Sequence, residues 1–228
     1  MKKTILIIAA AALLLNTAKA QAFHKGAIVI DLGAGVSIYK TALQDEYNHQ
    51  VWNGSSFSMA RIKKDTNNNA GAAVYPLVIE YGLKNWLGIA ARAAYSKYFS
   101  KTDSLSGINA AVRGIDAGLI LNLHLFKTRR FDMPIGLTIG YSNFLADSKD
   151  SLNNIAKDNG FNYGFSAVPR FYFGEHIGLS VNLGYVAYNY PSILFSNKND
   201  SNINDNNNRI YKLKADGANI GVGLIVKF

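Results

Sequence analysis

Hydrophobic residues recur at every second position along most of this chain. In the stretch from Asp216 to Phe228, Ala218, Ile220, Val222, Leu224, Val226 and Phe228 share one face of an extended segment. Gly217, Asn219, Gly221, Gly223, Ile225 and Lys227 share the other. A period of two marks a β-strand whose two faces meet different surroundings. The same period predicts seven earlier strands. The first covers Gly26 to Tyr39, with Ile28, Ile30, Leu32, Val36 and Ile38 opposite Asp31, Gly33, Gly35 and Ser37. The second, Ala72 to Leu83, sets Tyr75, Leu77, Ile79 and Tyr81 against Pro76, Val78, Glu80 and Gly82. The third sets Leu87, Ile89, Ala91, Ala93 and Tyr95 against Gly88, Ala90, Arg92 and Ala94. The fourth sets Ile115, Leu119, Leu121, Leu123 and Leu125 against Asp116, Gly118, Asn122 and His124. The fifth begins at Pro134 and carries Tyr141 on its apolar face. The sixth sets Tyr163, Phe165, Phe171 and Phe173 against Ser166, Arg170 and Tyr172, and the seventh carries Tyr185 on the apolar face.

The connections alternate in length. Residues 40–71, 100–107, 143–160 and 188–215 form long or polar connections, whereas 84–86, 126–133 and 174–176 are short. A soluble sandwich has no reason to sort its loops by parity. An antiparallel barrel crossing a membrane does, with short turns on the periplasmic side and long loops outside. The pattern therefore predicts an all-β protein, an eight-stranded up-and-down transmembrane β-barrel.

The makeup of the two faces sets their direction. One face is rich in Ile, Leu, Val, Tyr and Phe, and the other in Gly, Ala, Ser and Asn with a few charges. Small residues and isolated charges suit the narrow lumen of an eight-stranded barrel, and the bulky residues then meet lipid. Two aromatic girdles are expected at the interfaces: Tyr75, Tyr95, Tyr141, Tyr163 and Tyr185 at the long-loop end, and Tyr81, Phe171, Phe173 and Phe228 at the short-turn end. Inward charges are costly unless paired. Asp31, Glu80, Arg92, Asp116 and Arg170 are accordingly expected to form a network that plugs the lumen, with Asp116 higher than the other four. Lys227 also points inward. Pro76 and Pro169 fall inside strands, where a missing N–H predicts a bulge or an early end to pairing.

Composition adds a compartment. Lys2 and Lys3, the apolar run from Ile5 to Leu15, and Ala18-Lys19-Ala20 predict a secretory signal peptide over residues 1–20, leaving 21–228 as the barrel. Removing it takes the formal charge from +9 to +6, a mild excess that suits anionic lipid headgroups, including lipopolysaccharide, more than a nucleic acid. The chain has no Cys, which excludes disulfides and thiolate chemistry.

Catalytic motifs are scarce. The sequence contains neither G-x-S-x-G nor H-E-x-x-H. Gly33-Ala34-Gly35 lacks the rest of a dinucleotide fingerprint, and four scattered His have no metal-ligand spacing, so no catalytic residue, metal or cofactor is expected. His49, near Asp45, Glu46, Ser55, Ser56 and Ser58, is the one histidine expected on the long-loop side.

Pro169 to Tyr185, P-R-F-Y-F-G-E-H-I-G-L-S-V-N-L-G-Y, and the ending A-N-I-G-V-G-L-I-V-K-F resemble the penultimate hairpin and closing strand of the small eight-stranded outer-membrane β-barrel proteins of Bacteroidetes type. The chain is also similar to the membrane domain of the outer-membrane protein A family. It stops at Phe228, so the resemblance implies a barrel without the soluble peptidoglycan-binding domain. It implies an outer-membrane location in a Gram-negative bacterium and recognition of Phe228 by the barrel-assembly machinery. It implies no particular activity, because such barrels serve several. The expected role is envelope-structural or surface-interacting, with loops 40–71 and 188–215 meeting any surface ligand. A narrow channel and an outer-leaflet lipid-modifying enzyme are the alternatives.

Overall fold

A computed structural model describes residues 22–52, 54–99, 110–148, 154–197 and 209–228. The expected signal peptide, residues 1–20, lies outside them. Ten strands form one antiparallel sheet: β1 (Ile28–Trp52), β2 (Phe57–Lys84), β3 (Leu87–Phe99), β4 (Ala110–Lys127), β5 (Phe131–Ser148), β6 (Asn154–Ala167), β7 (Arg170–Tyr172), β8 (Ile177–Tyr190), β9 (Leu194–Asn197) and β10 (Arg209–Lys227). Neighbours in sequence pair with each other, and β10 pairs with both β8 and β1, which closes the sheet into a barrel. β6 and β7 are two halves of one wall strand. β9 is a short addition that pairs with the start of β6. Eight staves therefore make the wall.

The faces are arranged as the alternation predicts. Leu119, Leu121 and Leu123 are 54%, 46% and 40% exposed, whereas Arg170 is 2% exposed. An exposed belt of Ile, Leu, Val and aromatic side chains around the whole wall would be untenable in water, and it is the surface a bilayer requires.

The expectation of long loops needs correction. Residues 40–71 are not a loop. β1 and β2 continue through them as a hairpin in one unbroken register, from Lys40 opposite Asn69 to Trp52 opposite Phe57. β10 accompanies them as far as Arg209 opposite Tyr47. In the same way β5 and β6 extend into 143–160, and β8, β9 and β10 take up most of what is described of 188–215. Backbone pairing persists while the hydrophobic period fades, because beyond the lipid both faces of the sheet become polar.

The prolines interrupt the pairing, one of the two outcomes expected there, and produce no bulge. The wall strand is interrupted after Ala167 and resumes at Arg170 without a change of register against β5 or β8. Pro134 on β5 accepts from the Val168 N–H at 3.0 Å, so two prolines meet at one gap in the ladder. At Pro76 the β1–β2 pairing skips Gly33 and Ala34 and then continues in register. The register shifts occur elsewhere, between Gly82 and Lys84 and between His124 and Phe126, next to short turns.

Candidate functional site: the barrel lumen

Two layers of polar side chains cross the lumen. The lower one, near the short turns, is built from four wall strands. Glu80 on β2 is fully buried, as are His124 on β4, Asp132 on β5 and Arg170 on β7. Arg170 Nη1 lies 2.6 Å from Glu80 Oε2 and 3.5 Å from Asp132 Oδ2. His124 bridges the same two carboxylates, with Nε2 2.9 Å from Glu80 Oε1 and Nδ1 2.8 Å from Asp132 Oδ1. Each ring nitrogen thus lies within hydrogen-bond reach of a different carboxylate, so the imidazole ties Glu80 to Asp132. Asn122 donates to Glu80 Oε1 at 2.7 Å.

The chain before β1 seals this layer from below. Ala22, Phe23 and Ala27 are fully buried. The Phe23 ring stacks on His124, with centroids 3.4 Å apart and planes 7° from parallel. The Ala22 N–H donates to the Thr128 carbonyl, and the Gly26 N–H to that of Gly82. Together with Val29, Tyr172 and Ile225 these residues form an apolar cluster under the charges.

The upper layer is centred on Asp116. Arg92 Nη1 lies 3.7 Å from Asp116 Oδ2, and Tyr188 donates to the same oxygen at 2.9 Å. Ser142 donates to Asp116 Oδ1 at 2.5 Å, so its oxygen is left to accept from the Tyr190 hydroxyl at 2.6 Å. Tyr39 meets Tyr188 edge-on, and Tyr188 stacks parallel with Tyr190. Tyr39, Tyr188, Tyr190, Val74 and Val186 make the core of this layer, with Tyr98 and Phe144 against it.

Between the layers lies a cavity of about 90 Å³, where Asp31, Arg92, Asn122, Arg170, Ser180 and Asn182 meet apolar side chains such as Val74, Ile120 and Val186. That volume holds several waters, given roughly 10–15 Å³ for each. Gly223 matters here: a Cβ on it would run into the Asp31 carboxylate and Ser180.

The five expected lumen charges are thus divided between two levels. Glu80 and Arg170 pair below, and Arg92 pairs with Asp116 above instead of joining the lower group. Asp31 faces the cavity between them. Lys227 places its ammonium 4.9 Å over the Tyr172 ring at the bottom. The sequence reading missed Asp132, Ser142, Tyr188 and Tyr190 as members, and it gave His124 no role. His124 shares lumen parity with Asp116, and Tyr188 and Tyr190 continue the parity of Val186, so that signal was present.

On the outer face Tyr75, Tyr95, Tyr141, Tyr163, Tyr185, Tyr81, Phe171 and Phe173 are all exposed. Tyr75 stacks on Tyr95, and Phe165 on Tyr185. Phe228 exchanges both backbone hydrogen bonds with Ile28 at the seam between β10 and β1. His49 lies near the tip of the hairpin opposite Ala60, and Ser58 donates to the Val51 carbonyl. Glu46 is instead committed to Arg61, Lys63 and Lys212.

No family model and no curated protein matches the sequence. Solved structures do match the fold. Outer-membrane protein OprG from Pseudomonas aeruginosa is 16% identical with a TM-score of 0.52, over 90% of this chain and 97% of that one. Outer-membrane protein AlkL, solved in lipid bilayers, is 17% identical with a TM-score of 0.50, over 94% and 95% of the two chains. The chain has the fold of the small outer-membrane β-barrel proteins.

Proposed function

We propose that the protein is a closed outer-membrane barrel that serves the envelope through its outward surface rather than by conducting or catalysing. One observation carries this reading: two polar layers, the lower tied across the lumen by Arg170 and Glu80 and the upper by Tyr188 and Asp116, stand in series on either side of one small cavity. A buried charge network with its partners in place is expensive to disrupt, which suits a permanent plug. The hairpin made by β1 and β2 extends beyond the lipid-facing band and, with the outer part of β10, offers a rigid three-stranded sheet to a surface ligand. Phe228 at the seam is the residue we assign to recognition by the assembly machinery.

The test is single-channel recording of the purified chain in a planar bilayer. The closed reading expects no steady openings. Sustained conductance would overturn it in favour of a narrow channel, which the cavity between the layers, lined in part by Asp31, Arg92 and Arg170, supports as the second reading.

A further inference from the structure

Basic side chains collect on the outward face just beyond the upper aromatic girdle. On β3 the next outward residue after Tyr95 is Lys97, and on β4 the one beyond Ile115 is Arg113. Lys97 and Arg113 are directly opposite each other across the two strands, and both are exposed. Side chains in that relation have Cβ atoms about 4.5–5.5 Å apart, and like charges placed so repel. No described carboxylate pairs with either. Going round the wall, Arg113 faces Leu145 on β5, and Leu145 faces exposed Lys157 on β6. The acidic residue nearest along that face, Asp147, lies two positions beyond Leu145. On the far side of the barrel Lys40 and Lys214 hold the corresponding outward places, beside an Asp216 that accepts from Tyr185.

Among the described residues this like-charged pair, kept directly above an aromatic girdle against its own repulsion, has no counter-charge, which makes it open to an anion from the surroundings. The girdle fixes the depth. Tyr75 and Tyr95, stacked 6.4 Å apart, belong at the boundary between hydrocarbon and headgroup, so Lys97 and Arg113 reach into the headgroup layer beside them. We infer that Lys97 and Arg113 form a phosphate-binding site for the phosphorylated glycolipid of the outer leaflet. Arg113 supplies a fork that can grip two phosphate oxygens, Lys97 supplies a compact second charge, and Tyr95 packs against the sugar or the first methylenes. Diffuse attraction of anionic lipid would need no opposed pair at one depth. The inference rests on the outer band facing lipid and is independent of the closed lumen. A barrel that conducts yet binds this lipid would overturn the earlier proposal and leave this one standing.

The experiment titrates the full chain, folded in neutral detergent, with bisphosphorylated lipid A and with the same glycolipid stripped of both phosphates. Native mass spectrometry reads the bound fraction. The wild type should prefer the phosphorylated form by about ten-fold, the scale of one good charge-assisted contact. Lys97→Gln with Arg113→Gln should lose that preference. Lys97→Arg should keep it, as should Lys84→Gln at the short-turn end, which removes one charge elsewhere. Retention of heat-dependent gel mobility shows that each variant is folded. Should the double variant fail that check, raising salt to about 0.5 M on the wild type should erase the preference instead. Equal binding of the two glycolipids by the wild type, or a preference that survives the double variant or the salt, overturns the site. Equal competition by phosphatidylglycerol overturns its assignment to the glycolipid.

Discussion

Arg170 shows at the level of one side chain what the lumen demands. Its guanidinium is buried and held by Glu80 and Asp132, while Glu80 also receives His124 and Asn122. Removing Glu80 leaves a buried cation with a weaker partner. Glu80→Ala should therefore destabilise the barrel by about 3–5 kcal/mol, the usual cost of orphaning a buried ion. Removing both partners at once, Glu80→Ala with Arg170→Met, should cost less than Glu80→Ala alone. Urea midpoints from gel mobility in detergent would check the order, and a double variant less stable than the single one would contradict it. Gly88 is part of the same device. A Cβ there would collide with the Glu80 carboxylate. Gly88→Val should displace Glu80 and reproduce most of the Glu80→Ala loss, and an unchanged midpoint would show that the carboxylate has room to move.

Among the elements, the long hairpin and β10 behave differently from the staves in lipid. Glu46 on β1 is 2% exposed because Arg61, Lys63 and Lys212 close over it. Hydrogen bonds from Lys212 and Arg61 hold its carboxyl below the ordinary value of 4.5. A depressed carboxyl pKa stabilises the folded state above the unfolded pKa, and that contribution disappears as pH falls through the folded one. Amide exchange at the tip of the hairpin should accelerate as pH drops below the ordinary carboxyl value of 4.5, after correction for intrinsic rates, while amides of β4 and β5 stay protected. Uniform loosening of both regions would refute a local role for Glu46. This hairpin is also where the sequence misled. Face and strand direction were legible in the lipid because an apolar wall has to alternate with a small-residue lumen, as in Leu119, Leu121 and Leu123 against Gly118 and Asn122. Past Tyr39 the sequence turns polar, and polarity alone does not distinguish a loop from a strand wet on both faces. The partners of the lumen charges were hidden for a related reason. Arg92 meets Asp116 because β3 and β4 place Arg92 opposite Gly118, two residues from Asp116. That register depends on backbone pairing between β3 and β4, which composition does not encode. Asp132 escaped notice because β5 begins at Phe131, ahead of Pro134.

For the whole molecule, the two lumen layers are barriers in series, and this makes closure redundant. Breaking the lower layer leaves only the segment from Ala22 to Ala27 between the cavity and the short-turn end, and leaves Tyr39, Tyr98, Tyr188 and Tyr190 around Asp116 across the other exit. Breaking the upper layer leaves Arg170, Glu80, His124 and Asp132 beneath, with Phe23 stacked under His124. Glu80→Ala with Arg170→Ala should therefore stay electrically silent in a planar bilayer, and so should Tyr188→Ala with Tyr190→Ala. Combining the four substitutions should produce steady openings. Each set should first pass the heat-dependent mobility check, so that conductance is read from folded barrels. Openings in either two-residue variant alone would mean that the other layer does not seal. Silence in the four-residue variant would place the decisive barrier in the segment from Ala22 to Ala27, and adding Phe23→Ala should then release it. The cavity makes the combined result specific: it already joins Arg92 to Arg170 along the axis, so no further wall has to be removed between them.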